Sequence, residues 1–200
     1  MRVIYVILFG LSLFSCTNST HQDNIKPLKE VENEMLKLVT SYFKSTIGIE
    51  EDFDFQKFSK LYSPEYKEYI CNEAHTENFD STIKVIIQFS QNKMNELKEK
   101  GAVIQTNEMF IKERFQKRDT LVYLIQTEIL MIAENKNKKL TNTDYILAIT
   151  NNYGDQWYLY QADIPNINNL LSYRLDNTSV REVSNLIKKH KPNSKIEELR

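Results

Sequence analysis

The chain has 200 residues, with 26 Lys and Arg against 27 Asp and Glu and a formal net charge of −1. That balance excludes the broad positive field of a nucleic-acid binder, and the length suits one ordinary domain with a sizeable core. None of His21, His75 and His190 has a partner at metal-ligand spacing. No Gly-rich phosphate loop, nucleophile elbow or zincin motif occurs either, so no metal or cofactor is expected.

In chain order, Met1-Arg2 is a short positive start and residues 3–14 are an unbroken apolar or small run. The run is too short to span a bilayer as a helix but suits the apolar region of a signal peptide. Leu13-Phe14-Ser15-Cys16 resembles the bacterial lipoprotein lipobox: an apolar residue, a small residue just before the cysteine, then the cysteine that takes the lipid. The resemblance implies a signal peptide over residues 1–15 and acylation of Cys16, palmitate included. It also implies a protein anchored in the bacterial envelope, at the outer membrane facing the periplasm. Residues 16–27 are a polar tether without apolar periodicity. With Cys16 lipidated, Cys71 has no disulfide partner and reads as a small buried hydrophobe. A Cys71–His75 nucleophile would lack a third, orienting group.

One domain is expected over residues 28–190, with 191–200 as a flexible tail. Leu28, Val31, Met35, Leu38 and Tyr42 recur at helical spacing and predict a helix to about Lys44. Asp54 is placed to cap a short helix through Phe55, Phe58 and Leu61. Ser63-Pro64-Glu65 then starts another through Tyr66, Tyr69 and Ile70. A longer helix opens at Asp80 or Ser81 and ends at Gly101, where a left-handed cap is wanted. Beyond Gly101 the period becomes alternating. Leu121, Tyr123, Ile125, Thr127, Ile129, Met131 and Ala133 share one face of a long strand, and Val122, Leu124, Gln126 and Glu128 share the other. That contrast predicts burial on one side only. Strands are expected at about 103–115, 141–150 and 156–163, with turns at 117–119, 134–139 and 151–155. Ile164-Pro165 starts a short helical turn, Ser179 caps a last helix through Val183, Leu186 and Ile187, and Pro192 stops it.

Helices followed by consecutive strands predict an α+β fold, with N-terminal helices packed on a four-stranded antiparallel meander and a C-terminal helix. The element order, Leu61-Tyr62-Ser63-Pro64-Glu65-Tyr66 and the final Gly154-Asp155-Gln156-Trp157-Tyr158-Leu159 resemble the nuclear transport factor two-like, or cystatin-like, cone superfamily. The resemblance covers about residues 28–163. It implies a cone whose open end can hold a pocket, on a fold that hosts enzymes, ligand binders and adaptors alike.

Candidate pocket residues are therefore Tyr123, Thr127, Tyr145 and Trp157, with Asp144 or Glu128 as a carboxylate that burial beside aromatics would turn into a base. Strand aromatics are equally core material, and Glu128 falls on the more polar face. Tyr153, Tyr158 and Tyr160 near the last hairpin are candidate interface anchors. The basic run Lys188-Lys189-His190-Lys191 suits a solvated helix end. No constellation of residues defines a reaction. The expectation is a lipid-anchored, non-catalytic binding module with a protein partner, an immunity protein that neutralises a secreted toxin being one concrete form. The alternative is a cone-pocket enzyme or a small-ligand-binding lipoprotein.

Overall fold

The computed structural model describes residues 27–49, 54–133, 137–151 and 154–198. Cys16 and Tyr153 lie outside the described residues.

Among the described residues, four helices come first. α1 (Leu28–Thr46) turns Val31, Met35 and Val39 inward at helical spacing. α2 (Phe55–Phe58) is capped by Asp54, whose side chain accepts from the Lys57 N–H, and a single 3₁₀ turn (Ser59–Leu61) follows it. Ser63 caps α3 (Pro64–Glu73) by accepting from the Tyr66 N–H, with Pro64 at the first helical position as predicted. α4 (Phe79–Glu99) starts one residue before the earlier of its two predicted openings, because Asn78 rather than Asp80 or Ser81 accepts from the Ser81 N–H. Gly101 ends α4 at φ +82°, in the left-handed region that glycine enters without a steric penalty. α4 also closes the end of α1. Gln91 Nε2 donates to the Ser45 carbonyl and Lys98 Nζ to that of Gly48, each at 2.9 Å.

The described residues then give six strands: β1 (Ala102–Thr106), β2 (Phe110–Lys117), β3 (Thr120–Ala133), β4 (Lys138–Asn151), β5 (Gln156–Gln161) and, towards the C-terminus, β6 (Asn193–Glu198). All pairings are antiparallel, and the sheet is curled. The long β3–β4 hairpin is its centre. β2 flanks one end of β3 and β1 the other, while β5 flanks one end of β4 and β6 the other. At either end the sheet is therefore four strands wide. The strand expected at about 103–115 is two strands, broken at Asn107–Met109. Residues 193–198, expected in a flexible tail, form β6, because the outer edge of β4 at 138–143 offers unpaired backbone groups.

Both outer lanes change strand at the same level. β2 pairs with β3 up to Gln126 and β1 from Ile129, while β5 pairs with β4 down to Ile146 and β6 up to Thr143. The Thr127–Asp144 pair lies in that gap.

Register sorts the core into two faces. Leu121, Tyr123, Ile125, Ile146, Ala148, Trp157 and Leu159 pack with α1, Phe58 and Leu61. Val122, Leu124, Leu147 and Ile149 share the other core with Leu170, Leu171, Leu175 and Val183 from α5 (Ile167–Ser172), α6 (Asn177–Lys189) and the turn between them. The prediction of one-sided burial for β3 is thus corrected: Val122 and Leu124 are as buried as Leu121 and Tyr123 because the C-terminal helices cover the second face. α6 is capped not by Ser179 but by Asp176, whose Oδ1 accepts from the N–H groups of Thr178 and Ser179. Those bonds, then Lys117, hold its carboxyl at about 2. The outer edge of β5 is covered as well. Gln156 Nε2 donates to the Lys60 carbonyl, Tyr160 stacks on Tyr66 at 5.1 Å, and Arg174 lies over Tyr158 while donating to Glu65 at 2.9 Å.

Candidate functional site

Between α1, α3, α4 and the sheet level of Thr127 and Asp144 lies a cavity of about 650 Å³. Its position follows from chain geometry. It lies at the level where the outer lanes change strand, and helix side chains form its other walls. Tyr62, Tyr66 and Tyr69 recur at i, i+4 and i+7, so they stand along one side of α3 and the turn before it. Tyr42 of α1 meets them, its hydroxyl 2.7 Å from that of Tyr62. Tyr66 stacks against Tyr69 and tilts against Tyr62. Ile83 and Ile87 of α4 complete the apolar wall.

The acidic element comes from the sheet. Asp144 of β4 is only partly buried, and it accepts at Oδ2 from Asn142 Nδ2 at 2.8 Å. Asn142 is itself held by Ser194 of β6, whose hydroxyl donates to Asn142 Oδ1 at 2.6 Å. The Thr127 hydroxyl donates to the Asp144 carbonyl at 3.3 Å. Burial first, and the like charge of Asp163 second, push the Asp144 carboxyl above the ordinary aspartate range against the opposing effect of Asn142. Burial, then Tyr42, pushes the Tyr62 hydroxyl well above the ordinary tyrosine range. The Tyr42–Tyr62 pair therefore stays protonated at neutral pH and offers hydrogen-bond donors, while Asp144 is a carboxylate able to hold a proton or a positive charge.

Three of the six candidate pocket residues, Thr127, Asp144 and Tyr145, border this cavity. The Tyr145 side chain belongs to the opposite face, where its ring lies 5.6 Å from that of His190. Tyr123 and Trp157 sit farther along the sheet beneath α1, their rings 6.0 Å apart. Burial, and then the charge of Glu32, drives the Tyr123 hydroxyl up to about 12. Glu128 faces away from the cavity and accepts from Asn107 and Gln126 at 2.7 Å, pinning the β1–β2 break to β3. Of the proposed interface anchors, Tyr160 is 1% exposed and so cannot anchor a partner, and Tyr158 is partly covered by Arg174. Cys71 is half-buried against the α3 side of the core. His75 lies beyond the end of α3 at φ +51°, off the helix face it was expected to share with Cys71.

The tyrosines of α1 and α3, together with Glu73 and Asp163, were not singled out from the sequence as site residues. The periodic row Tyr62, Tyr66, Tyr69 was the available signal, although the same spacing also describes a core face.

Fold and site together define an α+β domain with an acidic, tyrosine-lined cavity between three helices and one face of a curled sheet. In comparisons with known proteins, the chain matches no family model, no curated protein and no solved structure.

Proposed function

We propose that this protein is a lipid-anchored component of the bacterial envelope whose domain binds a small ligand in the cavity without transforming it. The observation supporting this reading is the cavity itself: about 650 Å³, walled by aromatic and aliphatic side chains with a few convergent polar groups. Proposed kinship with the nuclear transport factor two-like cones draws support from the same arrangement of helices over a curled sheet. Binding is favoured over chemistry because the Tyr42 and Tyr62 hydroxyls are bonded to each other rather than to Asp144. Asp144 has the like-charged Asp163 near it, and no His, Cys or Lys among the described lining residues to pair with as acid or nucleophile. The test is native mass spectrometry of the protein extracted from its own envelope without denaturation. Wild type should release a small molecule on unfolding, whereas Ile87→Trp and the milder rim change Ser90→Trp, checked for folding by circular dichroism, should not. Recovery of no ligand from wild type, or of equal ligand from folded variants, sinks the reading.

A second reading, the protein-binding or immunity role, is favoured by one observation. Val85, Ile86 and Phe89 of α4 are 63%, 45% and 63% exposed and lie close together on the helix surface. Under that reading, Val85→Lys with Phe89→Glu would abolish the phenotype the gene confers while Ser90→Trp would leave it intact. The opposite pattern returns the role to the cavity.

A further inference from the structure

We infer that the cavity is selective for a small organic cation, an ammonium group carried on an apolar body. This rests on the small-ligand reading above and adds the chemical class of the ligand. The whole chain is nearly balanced in charge, yet its cavity is not. Among the described lining residues every charged side chain is a carboxylate: the partly buried Asp144 and the exposed Glu73 and Asp163.

Some carboxylates elsewhere are neutralised by the protein's own cations: Glu65 by Arg174, Glu32 by Arg114 and Asp176 by Lys117. Among the described residues, none of the three cavity acids is in an ion pair with a basic side chain. Asp144 has only the neutral Asn142 amide as a donor to its carboxylate. A partly buried carboxylate beside a second one carries a penalty that a bound positive charge would remove. An anionic ligand would increase that penalty, and a neutral one would leave it in place.

The remaining wall fits the same ligand. Five tyrosines besides Tyr145 line the cavity, and an aromatic face attracts a cation through its quadrupole, most strongly where water is excluded. Ile83 and Ile87 offer surface for an apolar body. A bare metal ion fits less well, since no three His, Cys, Asp or Glu among the described residues converge as ligands.

The experiment titrates purified protein with matched probes on three skeletons: benzylamine, cyclohexylmethylamine and pentylamine, each against its alcohol and its carboxylate. Saturation-transfer NMR and the thermal midpoint are the readouts. The amines should bind saturably and raise the midpoint, and the carboxylates should not. Asp144→Asn should weaken the amines about tenfold, as loss of a charge-assisted hydrogen bond does, and leave the alcohols unaffected. Ser90→Trp should block every probe that binds. If alcohols or carboxylates bind as well as amines, or if Asp144→Asn leaves amine affinity unchanged, the cation inference falls while the small-ligand reading stands. If no probe binds wild type and no ligand is released from native protein, both fall.

Discussion

Trp157 and Asp144 show how one sheet face assigns opposite roles to its members. Trp157 is 7% exposed, sealed beneath α1 against Tyr123, and its neighbour Gly154 is left without room: a Cβ there would sit 3.2 Å from Val31. Trp157→Ala should destabilise the domain by about 3–5 kcal/mol, the range for truncating a large core aromatic. Urea unfolding measures it, and a loss under about 1 kcal/mol would place the ring outside the core. Asp144 is the reverse case, a side chain whose folded environment is unfavourable to its charged form. Its folded carboxyl titrates above its ordinary 3.8. Protonation therefore favours the folded state. That favourable contribution is complete below the unfolded value and is lost as pH rises through the folded one. Asp144→Asn, which cannot ionise, should gain stability over wild type at pH 7 and lose that gain as pH falls towards 3.8. A mutant–wild-type difference that stays constant across this range would show that Asp144 does not titrate under strain.

Among the elements, β6 is the one whose contribution exceeds its burial. Its side chains are mostly exposed, Ile196 at 69%, so ending the chain after Pro192 should cost little global stability. The local effect should be larger. Residues 138–143 of β4 would keep β3 but lose their outer partner strand, and Asn142 would lose the Ser194 bond that orients it towards Asp144. Hydrogen exchange followed by mass spectrometry should show faster exchange confined to 138–143, with α1 and β3 protected as before. Unchanged protection at 138–143 would mean that β6 does not hold the edge. The same truncation should impair ligand retention through Asp144 although none of the described residues 193–198 lines the cavity.

For the whole molecule, the proposed anchor and the proposed cavity are separable. No helix among the described residues is long and apolar enough to cross a membrane, and the proposed anchor is the lipid on Cys16. Cys16→Ser should abolish incorporation of labelled palmitate and leave the soluble domain's thermal midpoint and ligand content unchanged. Absence of label from the wild-type protein would overturn the lipobox reading. A shifted midpoint in the purified domain would contradict the independence of anchor and fold.

Local rules were legible where a cause lies within a few residues. Ser63-Pro64 opened α3, Asp54 capped α2, Gly101 closed α4, and alternation from Leu121 to Ala133 marked β3, since caps, left-handed turns and side-chain periods are short-range effects. The α+β order followed from these. Tertiary structure decided what depends on distant partners. It buried Val122 and Leu124 by bringing in α5 and α6, and it paired residues 193–198 with an edge some fifty residues back in the chain. It also sent Tyr145 and Glu128 away from the site and brought Tyr42, Tyr62 and Asp144 to one cavity. A period tells which residues share a face of one element. What that face meets, and whether a tyrosine there fills a core or lines a cavity, is set by how the sheet curls under the helices, and no local pattern encodes that.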